Sequence, residues 1–62
     1  MQVQRATTDV VVRLDDREAQ LIAYGCKQYA DHIKDLGDPV SMEIRRTLRA
    51  LAQGLDAERR GA

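Results

Sequence analysis

Residue types that could perform chemistry are present in this sequence, but they do not gather into a catalytic motif. Cys26 is the single cysteine and His32 the single histidine, so neither has a second such residue with which to share a metal ion. Asp15 and Glu18 stand at the spacing of a helix capping box, which gives these acids a structural role. Without a nucleophile–base set or a glycine-rich phosphate loop, an enzyme is the least expected class, and no cofactor or metal is expected.

A second set of residues that could take part in binding lies in the run Asp9–Asp16. This run is dense in β-branched residues and predicts a strand over residues 7–14. Counting in twos puts four residues on one apolar face: Thr8, Val10, Val12 and Leu14. That face is expected to pack on a core. The alternate row, which includes Asp9, Val11 and Arg13, is expected to be exposed or used for binding.

Length and composition limit what this strand can do alone. The chain has 62 residues, with ten basic and ten acidic side chains and zero net charge. A chain this short buries only about 60% of its unfolded surface, and one cysteine closes no disulfide within it. A lone strand also leaves its backbone groups unpaired. We therefore expect a homodimer in which the strands pair.

The remaining sequence predicts a mostly α chain. Apolar residues recur at spacings of three and four over residues 16–36 and 39–54, which predicts two amphipathic helices. Gly37 is expected to end the first helix, and Asp38 with Pro39 to begin the second. We expect a flexible arm over residues 1–6, one domain over 7–55 and a frayed tail over 56–62.

Localisation follows from what the sequence lacks. No apolar run approaches about 18 residues, so no membrane span is expected. The first residues do not have the pattern of a signal peptide. A single free cysteine suits a reducing compartment, and the expected localisation is cytoplasmic.

The order of strand, capped helix, glycine turn and second helix resembles the ribbon-helix-helix family of DNA-binding proteins. The resemblance is carried by residues 10–16 (VVVRLDD) and 37–44 (GDPVSMEI), and it extends over about residues 7–53. It implies an intertwined homodimer whose two strands form an antiparallel ribbon in the major groove of double-stranded DNA. The implied function is sequence-specific transcriptional regulation, most often repression.

The resemblance also implies site residues. Asp9, Val11 and Arg13 would contact bases, with the forked donors of Arg13 suited to guanine. Val40 and Ser41 would hold a backbone phosphate at the start of the second helix. Arg5, in the arm, would be a further phosphate contact.

Three features depart from the family. Pro39 removes a backbone donor at the phosphate site, and Asp38 adds a negative charge there. The first helix is about two turns longer than usual, and the neutral charge provides little non-specific attraction to DNA. The alternative is a small homodimeric protein-interaction module, antitoxin-like or a phage-encoded adaptor, that binds a protein partner on the extended first helix and does not bind DNA.

Overall fold

The computed structural model describes residues 1–61. It contains strands β1 (Gln2–Ala6) and β2 (Asp9–Arg13), followed by helices α1 (Asp16–His32) and α2 (Pro39–Gly61). The predicted fold class is confirmed in that the chain is mostly helical, with an antiparallel two-stranded ribbon and then two helices.

Both strands of the ribbon come from one chain. Strand β1 pairs antiparallel with β2, and Thr7 and Thr8 alone connect them. Residues 1–6 were expected to be a flexible arm and residues 7–14 a lone strand; the structure instead places residues 2–6 in β1 and limits β2 to residues 9–13. The physical reason is that a two-residue connection lets the nearest extended segment supply the backbone partners that β2 requires.

Helix α1 begins as the sequence predicts but ends earlier. The Asp15 Oδ1 atom accepts a hydrogen bond from the Glu18 N–H at 2.7 Å, and Glu18 Oε1 accepts from the Asp15 N–H at 3.1 Å, which confirms the capping box. The helix was expected to reach residue 36 and stops at His32. From there the chain winds in tighter turns, with the Leu36 N–H donating to the Ile33 carbonyl at 3.0 Å. Gly37 has no positive φ, so it does not provide the expected left-handed helix end.

Helix α2 is longer than predicted. It begins at Pro39, where Asp38 Oδ2 accepts from the Ser41 N–H at 2.9 Å, and it passes through Gly54 to Gly61. The tail expected to fray over residues 56–62 is therefore helical as far as the described residues extend. Contacts with α1 hold this part, since Asp56 pairs with Lys27, and Arg59 Nε lies 3.4 Å from Asp16 Oδ1.

The two helices pack along a seam of small side chains. The buried residues of α1 are Ala19, Ala23, Cys26 and Ala30. Two of them, Ala23 and Cys26, pack against Ala52 of α2, which is 1% exposed. Larger apolar residues lie half-buried at the edge of this seam: Ile22, Leu48 and Leu55. Other members of the predicted apolar stripes are exposed: Leu21, Tyr29, Leu36, Val40, Ile44 and Leu51. A single chain thus buries mainly alanine.

Carboxylates near the helix ends make stability dependent on pH. The pKa of Asp56 is lowered, chiefly by a hydrogen bond from the Lys27 ammonium group, and that of Asp38 is lowered, chiefly by the Ser41 backbone N–H. A lowered folded-state pKa stabilises the fold above the unfolded-state pKa, and this contribution is lost as the pH falls through the folded-state value. We expect the free energy of unfolding in urea to decrease below about pH 4. It should decrease less in Asp56→Asn, and a flat profile for the wild type between pH 5 and 3 would contradict the assignment.

Candidate nucleic-acid interface

The hairpin has two chemically different faces. Residues directly opposite each other in an antiparallel pair point to the same side of the sheet. Six residues form one side, which we call the polar ribbon face: Gln2, Gln4, Ala6, Asp9, Val11 and Arg13. Four form the other, which we call the apolar ribbon face: Val3, Arg5, Val10 and Val12.

The polar ribbon face carries exposed amide and guanidinium groups that make no hydrogen bond or ion pair within residues 1–61. The register places Gln2 opposite Arg13 and Gln4 opposite Val11. All are exposed, and within residues 1–61 the side chains of Gln2, Gln4 and Arg13 make no hydrogen bond or ion pair. A glutamine amide matches adenine and a guanidinium matches guanine, while a valine methyl can contact the thymine methyl. These groups are therefore free to bind an external ligand.

The predicted base-contacting residues lie together, but Arg5, one of the predicted phosphate contacts, does not join them. Asp9, Val11 and Arg13 share the polar ribbon face. Arg5 lies opposite Val10, on the apolar ribbon face, so it points away from that row. A ligand seated on the polar ribbon face is on the wrong side of the sheet for Arg5.

At the N-terminus of α2, a backbone N–H group already donates to a carboxylate of the same chain. The Ser41 N–H donates to the Asp38 carboxylate, and this hydrogen bond is the main reason that the pKa of Asp38 is lowered. Pro39 contributes no N–H. Of the first three backbone positions of α2, only Val40 retains a donor that a phosphate could use. An ionised carboxylate beside it opposes a second anion.

A row of cations lies elsewhere on α2. Arg46 and Arg49 are exposed, and with Met42 and Gln53 they line a shallow depression on the helix surface. Neither guanidinium has a carboxylate within 4.0 Å among residues 1–61. The neighbouring Arg45 already has a partner within the chain, since its guanidinium donates to the Lys34 carbonyl at 2.9 Å. Arg46 and Arg49 thus form an unpaired basic row on the helix.

The apolar surfaces of the chain are only partly covered. Val10 and Val12 were expected to face the core, yet they are 56% and 48% exposed in the single chain. Val12 and Leu14 border an open cleft of about 300 Å³ between the hairpin and the helices, which Leu55 also lines. The Val12 end of the apolar ribbon face therefore lies across this cleft from the helices. It does not pack closely on them.

Sequence reasoning missed the β1 side of the polar ribbon face. Gln2 and Gln4 were assigned to a flexible arm because residues 1–6 are polar and lie at the N-terminus. The available signal was the two-residue spacing between Ala6 and Asp9, which fits a hairpin. It was weak, because Thr-Thr is not one of the glycine- or asparagine-containing pairs that mark such turns.

No group of metal-ligating side chains occurs within residues 1–61, and no helix in this part of the chain has the length and apolarity needed to cross a membrane. Comparison of the chain with protein-family models, curated proteins and solved structures gave no match.

Proposed function

We propose that this protein binds double-stranded DNA sequence-specifically and regulates transcription, as a repressor, by inserting the polar ribbon face into the major groove. The observation that supports it best is the pairing of Gln2 with Arg13 and of Gln4 with Val11 on one exposed face. A two-stranded ribbon fits the width of the major groove. The opposite face carries three valines and one arginine, so it offers fewer hydrogen-bonding groups with which to read bases.

The arrangement also supports membership of the ribbon-helix-helix family as part of this proposal. An antiparallel ribbon followed by a capped helix, a turn and a second helix is compatible with that topology. The chain differs in supplying both strands of its ribbon. Base contacts are accordingly assigned to Asp9, Val11 and Arg13 together with Gln2 and Gln4.

Phosphate contacts are assigned to the basic row on α2. Arg46 and Arg49 are exposed and unpaired within the described chain, whereas the Ser41 N–H is held by Asp38 and Arg5 lies on the apolar ribbon face. Each phosphate that is neutralised steepens the salt dependence of binding.

Replacing both arginines is therefore expected to weaken binding to all DNA sequences alike. In Arg46→Ala/Arg49→Ala, the slope of log K against log salt concentration should become shallower by about 2, close to one unit for each lost contact. The control is Arg17→Ala/Lys34→Ala, which removes two cations from the region of α1. Equal slopes for the two double variants would contradict the assignment.

The proposal as a whole is tested by selection from a random duplex library at low salt, followed by titration of the enriched sequence and a scrambled duplex. We expect the enriched sequence to bind at least 1,000-fold more tightly than the scrambled one. Equal affinity for the two, or no binding to either, would overturn the proposal.

A second candidate is a protein-interaction module without DNA binding. It is favoured by an exposed apolar row on α2, in which Val40 is 64%, Ile44 38% and Leu51 46% exposed, and by the zero net charge of the chain. Exposed apolar side chains at helical spacing are typical of partner-binding helices. If the selection enriches no sequence, this becomes the better-supported function, and Ile44→Asp is the variant with which to examine it.

A further inference from the structure

The hairpin and the pair of helices are two bodies joined by a short connection. Within residues 1–61, no Cα atom of β1 or β2 lies within 8 Å of a Cα atom of α1 or α2. Leu14 and Asp15 link β2 to α1, and an ion pair of 2.7 Å joins the Met1 ammonium group to Glu18 Oε2. The open cleft of about 300 Å³ lies between the two bodies. The position of the hairpin can therefore respond to what fills this cleft.

The walls of the cleft are apolar and come from both bodies. Val12 and Leu14 line it on the hairpin side. Ala19 of α1 and Leu55 of α2 line it on the side of the helices. Its volume is at the lower end of the range of about 300–1,000 Å³ that is typical of small-molecule sites. A short alkyl or aryl group would bury apolar surface of both bodies there.

The rim of the cleft is acidic. Three carboxylates line it, those of Asp15, Asp16 and Glu58, against the single guanidinium of Arg59. That guanidinium is already engaged, since its Nε atom lies 3.4 Å from Asp16 Oδ1 and its Nη1 atom lies 3.6 Å from Asp56 Oδ1. Glu58 makes no ion pair or side-chain hydrogen bond within residues 1–61. The uncompensated charge of the cleft is therefore negative, which favours a cation.

We propose that this cleft binds a small primary amine with an apolar body. The ammonium group lies at the acidic rim, where its three N–H donors meet the carboxylates of Asp15 and Glu58. The apolar body lies between Val12 and Leu55, so the bound amine bridges the hairpin and the helices. A carboxylate ligand of the same shape is repelled by the rim, and a neutral alcohol gains the apolar contact alone. The inference does not depend on DNA binding.

The ligand class is tested by titrating the full chain, without DNA, with three probes of equal length: hexylamine, hexan-1-ol and hexanoate. Hexylamine is protonated at pH 7, as a lysine side chain is. It should shift the amide resonances of Val12 and Leu55 saturably, and added salt should weaken its binding. Hexan-1-ol should bind about fivefold more weakly or less, because it lacks the charge-assisted hydrogen bonds. Equal affinity for hexylamine and hexanoate would overturn the proposal.

Two carboxylates on α2 provide a matched pair of variants. Glu58→Gln should raise the dissociation constant for hexylamine on the order of fivefold, because it removes the unpaired charge of the rim. Glu43→Gln makes the same change beside a different apolar depression, lined by Val40 and Ile44, and should leave the constant unchanged. Equal effects of the two variants, or shifts confined to the depression at Val40, would contradict the assignment.

Neighbouring valines of β2 provide a second pair. Val12→Thr replaces a methyl group that faces the cleft with a hydroxyl and should weaken hexylamine binding about threefold. Val11→Thr makes the same change on the polar ribbon face and should not weaken it. Bridging also predicts slower hydrogen exchange at the amides of β1 and β2, by up to about tenfold when hexylamine is at ten times its dissociation constant. Unchanged exchange at saturation would show that the amine does not bridge the two bodies.

Discussion

Replacing Arg13 with alanine is expected to lower affinity for the selected DNA sequence by ten- to a hundredfold and to remove most of the preference at one base pair. Arg13 lies at the end of β2 on the polar ribbon face, opposite Gln2, and its guanidinium has no partner within residues 1–61. A bidentate contact between a guanidinium and guanine contributes about 1–3 kcal/mol of discrimination. The measurement is a titration of the selected duplex and of single-base variants.

Arg5 provides a matched control for this prediction. It is the same residue type in the same two-stranded sheet, but it lies opposite Val10 on the apolar ribbon face. Arg5→Ala should therefore leave the preference at every base pair unchanged, with at most a small uniform loss of affinity. Equal loss of discrimination in both variants would show that the polar ribbon face does not read the bases.

A buried charge at Ala52 is expected to unfold the protein. Ala52 is 1% exposed and packs against Ala23 and Cys26 in the seam between the helices. No basic residue is buried there to pair with a carboxylate. Because an unpaired charge in such a site costs several kcal/mol, Ala52→Asp should reduce the free energy of unfolding by roughly 3 kcal/mol or more. A 62-residue chain has little stability to lose.

Ala50→Asp is the control, since it makes the same change two residues away on the exposed side of α2. Ala50→Asp has the same loss of helix propensity as Ala52→Asp. It should reduce the free energy of unfolding by well under half as much. Urea titrations followed by circular dichroism measure both variants. A folded Ala52→Asp protein as stable as Ala50→Asp would mean that the seam is not the core.

Several local features were predictable because neighbours in the sequence create them. The capping box of Asp15 and Glu18 needs only residues three positions apart, and Asp38 caps α2 in the same way. The alternation that places Asp9, Val11 and Arg13 on one face likewise follows from the period of a strand. Base-reading chemistry at Arg13 stays a prediction until it is tested with DNA.

The features that sequence reasoning missed depend on contacts between distant residues. Helix α2 continues through Gly54 into a stretch that contacts α1: Leu55 packs against the buried cluster, and Asp56 and Arg59 pair with Lys27 and Asp16. Propensity alone predicted a helix end near that glycine.

The sequence by itself predicted a strand over residues 7–14, of which β2 occupies residues 9–13, together with the two helix starts and the division of β2 into two rows. Only the tertiary structure decided that β1 pairs with β2, because strand pairing depends on a turn whose Thr-Thr sequence is not typical of hairpins. It also decided that most of the buried residues are alanines, while the larger stripe residues other than Ile33 stay partly or largely exposed. Periodicity identifies an apolar face, but the distance between two helix axes decides which side chains on that face are buried.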